Sequence, residues 1–158
     1  MKKLLFLLAL SFTQLSFAQN STSIYSKENA PLVIANGNKT YLYASALNIN
    51  NILTINVFKG EKATQLFGEK GKNGVLEMNF KPETQLLNLQ NFYTEYNISK
   101  ANQFLPIVLN KHFVDKKKYL LLDKSAIISV KILEEQPFVE PVLLPKGKAI
   151  YIETMEMK

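Results

Sequence analysis

Few residues in this chain have the types and spacing to do chemistry. His112 is the only histidine and forms H-x-x-D with Asp115, and cysteine is absent. One imidazole without a thiol cannot complete a structural zinc site, and no second base or thiol nucleophile accompanies it. His112 falls where Gly37 stands in the internal register described below, so it reads as an exposed turn residue. The carboxylates are scattered. Glu134-Glu135, and Glu153 with Glu156, read as solvated edge charges and not as an acid/base pair. No serine stands in a nucleophile-elbow or S-x-x-K context. The sequence therefore predicts no catalytic residue, no metal site and no cofactor, and a protein that is not an enzyme.

Two further groups carry charge or backbone donors. Gly68, Gly71 and Gly74 alternate with Lys70 and Lys72, a spacing that could turn backbone N–H groups toward an anion. The Walker spacing G-x-x-x-x-G-K is missing, so turn geometry is the better account of these glycines. Lys116, Lys117 and Lys118 form the one basic cluster and read as a solvated loop or as a docking surface for an acidic partner. All 19 basic residues are lysine, against 13 acids, for a net charge of +6. Without arginine, bidentate recognition of phosphate or base edges is not expected, and no nucleic-acid partner is predicted.

The elements that must hold these residues centre on Ile52 to Phe80, ILTINVFKGEKATQLFGEKGKNGVLEMNF. Leu53, Ile55 and Val57 alternate with Thr54 and Asn56, while Ile52 and Phe58 put apolar groups on the other face. That pattern predicts a strand covered on both sides. Lys59-Gly60 ends it, and Ala63, Leu66 and Phe67 mark one face of a helix of about two turns. Gly68 suits the position after a helix end, and Gly71, Asn73 and Gly74 suit turn positions with positive φ. Val75, Leu76, Met78 and Phe80 resume a strand. Strand, helix and strand at this spacing predict a parallel pair with a right-handed crossover.

The segment VFKGEKATQLFGEKGKNGVLEMNF resembles the end of the plug domain of TonB-dependent outer-membrane receptors, in the form common among Bacteroidetes. Upstream, PLVIANG at 31–37 looks like the same family's apolar strand and tight turn. Lys59, Gly60, Ala63, Thr64, Gly68, Gly71, Asn73, Gly74 and Val75 match directly. Phe67, Lys70 and Ala35-Asn36 depart from the usual Tyr, Arg and Asp. The resemblance covers about 50 residues. It implies an α+β fold: a small mixed sheet with short crossover helices, acting through an outer-membrane receptor or TonB-system protein.

In chain order, residues 1–18 read as an export signal, with Lys2 and Lys3 before the apolar run Leu4–Leu10 and Ser16-Phe17-Ala18 at the cleavage site. That run is far short of the roughly 20 residues that span a bilayer. Cleavage would leave 17 lysines against 13 acids, or +4. Residues 19–30 form a polar lead-in, in which Ile24-Tyr25 is too little for a TonB-pairing strand. Residues 31–80 form a plug-like unit that begins with a strand over Leu32–Ala35. Its turn falls at Asn36–Lys39, and one helical turn within Ala46–Asn51 leads into the next strand. Residues 81–105 are a helical connector, with a helix over about Glu83–Asn97 carrying Leu86, Leu89, Tyr93 and Tyr96 at 3–4 spacing.

Residues 106–158 echo the first unit at a gapless offset of 75. PLVI falls over PIVL and ILTINVF over IISVKIL, with four identities in fifty positions. The run EEQPFVEPVLLPKGKA carries three prolines and cannot form the first unit's helix, so an irregular arm should precede an edge strand at Ala149–Thr154. The expected function is an exported interaction module of the periplasm or outer membrane, binding a protein partner with no membrane span of its own. The alternative is a sensor that holds a small ligand between its two units.

Overall fold

A computed structural model describes residues 29–134 and 147–155 of the chain. The expected leader, residues 19–28 of the lead-in and the proline-rich arm at 135–146 lie outside them.

The first unit begins with the hairpin of β1 (Leu32–Ala35) and β2 (Asn38–Tyr41). Asn36 and Gly37 both take positive φ, 44° and 80°, the two-residue turn whose twist matches that of the strands. A 3₁₀ turn, the short β3 (Ser45–Ala46) and a second 3₁₀ turn over Ile49–Asn51 lead to β4 (Ile52–Phe58). Helix α1 (Gly60–Phe67) and a 3₁₀ turn over Gly68–Gly71 then connect to β5 (Val75–Phe80). The sheet order is β2-β1-β5-β4. The connector supplies β6 (Leu86–Asn88) and α2 (Leu89–Glu95). The second unit contains β7 (Ile107–Leu109), β8 (His112–Phe113), β9 (Leu121–Asp123), β10 (Ile127–Leu133) and β11 (Ala149–Thr154). Its sheet order is β10-β11-β7-β8, the first sheet read from the other end.

The correspondence extends to single hydrogen bonds. Asn36 Oδ1 accepts from Phe80 N at 2.8 Å, and Asn110 Oδ1 accepts from Thr154 N at 2.8 Å. Asn110 and Lys111 repeat the positive-φ turn at 47° and 68°. In both units the long edge strand shifts register after its first residue, between Ile52 and Thr54 and between Ile127 and Ser129. The offset is not gapless, however. Val33 and Ala35 correspond to Ile107 and Leu109, an offset of 74, while β4 and β10 correspond at 75. A one-residue slip exchanges the two faces of a strand, so the gapless register would have turned β7 inside out. His112 consequently opens β8, and Lys111 takes the turn position of Gly37.

Between the two sheets lies a third, β3-β9-β6. Leu121 and Leu86 face a core with Val33, Ala35, Leu47, Met78 and Phe80. Leu122, Leu87 and Ala46 face the opposite core, with Phe92, Ile107, Leu109, Ile150 and Ile152. Doubly covered strands are apolar on consecutive residues, which is why β6 and β9 both open on a Leu-Leu pair. The fold is α+β, as expected.

Several elements differ from expectation. β4 is the edge of its sheet, and Leu53, Ile55 and Val57 are 58%, 51% and 55% exposed, so it is not covered on both sides. β4 and β5 run antiparallel, and the parallel partner of β5 is β1, so no βαβ crossover joins β4 to β5. On α1, Ala63 is buried and Phe67 packs beside it, but Leu66 is exposed. The connector helix starts at Leu89 because the Asn88 side chain accepts from Asn91 N at 3.0 Å. Leu86–Asn88 instead pairs with β9. β11 is central in its sheet, between β10 and β7, and not an edge. Among the described residues no helix is long and apolar enough to cross a membrane.

Candidate functional site

The residues of the glycine-rich motif divide between two tasks. Lys59, Gly60, Lys72, Asn73 and Gly74, with Val57, line an open depression of about 370 Å³ at the end of β4. Gly60 starts α1 with φ 56°, and Gly74 enters β5 with φ 91°. Gly68, Lys70 and Gly71 do not line it. Gly68 ends α1 at φ 63° and its N–H donates to Thr64 O. Gly71 and Asn73 do not have positive φ, contrary to expectation. What Gly71 requires is space. A Cβ there would overlap the carbonyl oxygen of Ala63 and lie 2.8 Å from its carbonyl carbon. The 3₁₀ turn is folded back onto α1, and Gly74 N closes the next turn on Gly71 O at 2.8 Å.

The three consecutive lysines do not form one basic surface. Lys117 turns inward, and its ammonium donates to the carbonyls of Gln103 and Leu105, both at 3.0 Å. Burial pushes its pKa below the ordinary lysine value of 10.5. The ammonium of Lys118 sits 5.2 Å from the centre of the Tyr119 ring. Lys116 is exposed, as are His112 and Asp115. Lys117 is thus a tie that holds the loop before β7, and only its two neighbours are presented to solvent. No group of three or more His, Cys, Asp or Glu among the described residues could hold a metal ion.

The sequence reading missed a polar network where the two units meet. Asp123 is buried and accepts from Asn51 Nδ2 at 2.8 Å, Ser125 N at 2.9 Å and Ser125 Oγ at 2.8 Å. Asn48, its counterpart at the offset of 75, accepts from Asn50 N at 3.0 Å and reaches Ser125 Oγ at 3.1 Å. Each unit therefore enters its long edge strand through the same Asx turn. The readable signal was an Asn and an Asp at equivalent positions before ILTINVF and IISVKIL. Replacing Asp123 with Ala removes the acceptor for three donors and should cost about 2–3 kcal/mol by chemical denaturation. Asp123→Asn should recover part of that loss.

Burial also raises the phenols of Tyr41, Tyr43, Tyr93, Tyr96 and Tyr151 above their ordinary value of 10.0. The Tyr93 hydroxyl donates to Gln103 O at 2.9 Å, a bond its phenolate cannot make. A raised folded pKa contributes stability that is complete below the unfolded pKa and lost as pH rises through the folded one. Lys124, raised by its hydrogen bond to Glu95, works in the same direction, and Lys117, lowered, in the opposite one, but it is one group against six. The denaturation midpoint should therefore fall between about pH 9 and pH 11, and Tyr93→Phe should flatten the fall.

Comparison with known proteins gives no match to a family model, to a curated protein or to a solved structure.

Proposed function

We propose that the chain is an exported, non-enzymatic interaction module, plug-like in its first unit, that works in the periplasm or at the outer membrane by binding a protein of the TonB-dependent receptor system. The observation that carries this reading is where the motif residues fall. Lys59, Gly60, Lys72, Asn73 and Gly74 surround a depression open to solvent, beside an apolar edge strand. Gly68 and Gly71 fix the turn that positions them. An open and partly apolar surface suits a protein contact better than an enclosed substrate.

A second reading rests on size. About 370 Å³ lies within the range of small-molecule sites, so a ligand sensor would use this depression, which the first unit alone lines, and not a pocket between the two units. Affinity purification of the tagged chain from envelope fractions of a native host separates the two. Recovery of an outer-membrane receptor or TonB-system component supports the module. Its absence, together with a thermal shift on adding small molecules, supports the sensor. Lys59→Glu with Lys72→Glu should abolish whichever contact is present.

A further inference from the structure

Edge strands of monomeric proteins are blunted by lysine, proline, bulges or shortness, because their free N–H and C=O groups will pair with any available strand. Three of the four edges of the outer sheets here follow that rule. β2 carries Lys39, β8 has two residues, and β10 carries Lys131 near its middle. β4 does not. Its seven residues, ILTINVF, contain no charge and no proline, and its register shift lies at its start, which leaves Thr54–Phe58 regular.

The side chains add to the imbalance. Ile55 is opposite Met78 and Val57 opposite Leu76, so both lie on the sheet face that packs the inner core. They continue that apolar face past the point where the core covers it. On the other face Asn56 bonds Glu77 at 3.1 Å, and Thr54 accepts from Asn79 at 2.9 Å. Among the described residues β4 is thus an amphipathic strand whose polar side is satisfied and whose apolar side is uncovered.

We infer that β4 pairs antiparallel with β4 of a second copy of this chain about a two-fold axis through Ile55. In that register Ile55 meets its equivalent and Thr54 meets Asn56, while Val57 lies opposite Leu53 at the register shift of the other copy. Apolar groups face apolar and polar groups face polar. Lys59 falls opposite Asn51, so no lysine meets a lysine along the pairing. The two four-stranded sheets become one of eight. A single strand pair about 23 Å long contributes less than the roughly 800 Å² per partner of a stable complex, so the dimer is weak and forms as concentration rises. Each copy carries a net positive charge, +6 for the whole chain and +4 from Gln19 (17 Lys against 13 acids), so salt strengthens it. Binding of an acidic partner would instead weaken with salt. The inference needs only this chain, although Val57 at the end of β4 also lines the depression proposed for the partner.

The chain contains no cysteine, which makes crosslinking decisive. In the processed chain from Gln19, Ile55→Cys places two thiols opposite one another, within disulfide reach. Leu53→Cys leaves its two thiols about 13 Å apart, four residues along the strand. Under mild oxidation Ile55→Cys should give a covalent dimer at least tenfold faster than Leu53→Cys. Sedimentation from micromolar to millimolar concentration should show wild-type dimer formation that rises with salt. Ile55→Lys should raise the dissociation constant at least tenfold while the circular dichroism is unchanged, and Ile128→Lys on β10 should leave it as it is. A chain that stays monomeric at millimolar concentration overturns the inference. So do equal crosslinking at the two positions and equal loss with Ile128→Lys, which would mark a β4–β10 contact.

Discussion

Replacing Phe92 by alanine is expected to lower stability by about 3–5 kcal/mol. Phe92 lies in the inner core of the second unit and is the largest fully buried side chain among the described residues. Its ring lies 5.3 Å from that of Tyr96 and 5.9 Å from that of Tyr93, and it packs with the inner residues of β7, β9 and β11. Two effects add. The benzyl group returns to water in the unfolded chain only, and the cavity left behind is walled by strands that cannot close on it. The seven residues of α2 are also too few to persist without this anchor. A midpoint drop of about 10 °C or more by circular dichroism is expected. Phe104→Ala is the control. That ring is 87% exposed, so its loss should leave the midpoint within a degree or two. Hydrogen exchange in Phe92→Ala should rise first over α2, while the pairing of β4 with β5 keeps its protection.

What was legible in the sequence was local. The Asn36-Gly37 turn, the strand before it, the glycine that ends α1 and the 3₁₀ turn before β4 are each written within four residues, and each occurs where its chemistry places it. The connector helix was legible in type but not in extent. Leu86 and Leu87 fit the helical spacing, yet they serve a strand covered on both faces, and Asn88 was the cap that marked the true start. Strand direction and edge position were not legible, because both depend on partners far along the chain. The apolar groups at Ile52 and Phe58 argued for a buried β4. They are instead the two ends of the strand, tucked against different cores, while the middle stands clear.

The candidate site was legible to a similar depth. Spacing named the motif residues, but only folding separates those that line the depression from those that shape the turn. Nothing in KKK distinguishes the lysine that turns inward. That depends on two carbonyls from the loop before β7. The network at Asp123 joins residues more than seventy apart, beyond what local patterning can report.

The glycine turn is where sequence and structure disagree most usefully about mechanism, and Gly71→Ala tests it. If Gly71 were needed for positive φ, alanine would cost about 1 kcal/mol, the penalty expected at Gly37, where φ is 80° and a Cβ would meet nothing within 4 Å. The structure gives Gly71 a different burden. A methyl group there collides with the Ala63 carbonyl and comes within 3.3 Å of Phe67 Cβ. Neither neighbour can give way. The Ala63 methyl is buried under Leu32, Ile34 and Val75, and Phe67 packs edge-on against Phe58 with ring centres 5.4 Å apart. The turn itself must therefore move, and it holds Gly74, whose carbonyl accepts from Leu32 N at 3.1 Å where β1 meets β5. Overpacking against the Ala63 carbonyl and the Phe67 Cβ should cost roughly 3 kcal/mol. Gly71→Ala should thus destabilise by about three times as much as Gly37→Ala in urea. Equal effects would return the turn to a matter of backbone angles, and the packing of this turn on α1 would no longer explain why a glycine stands at position 71.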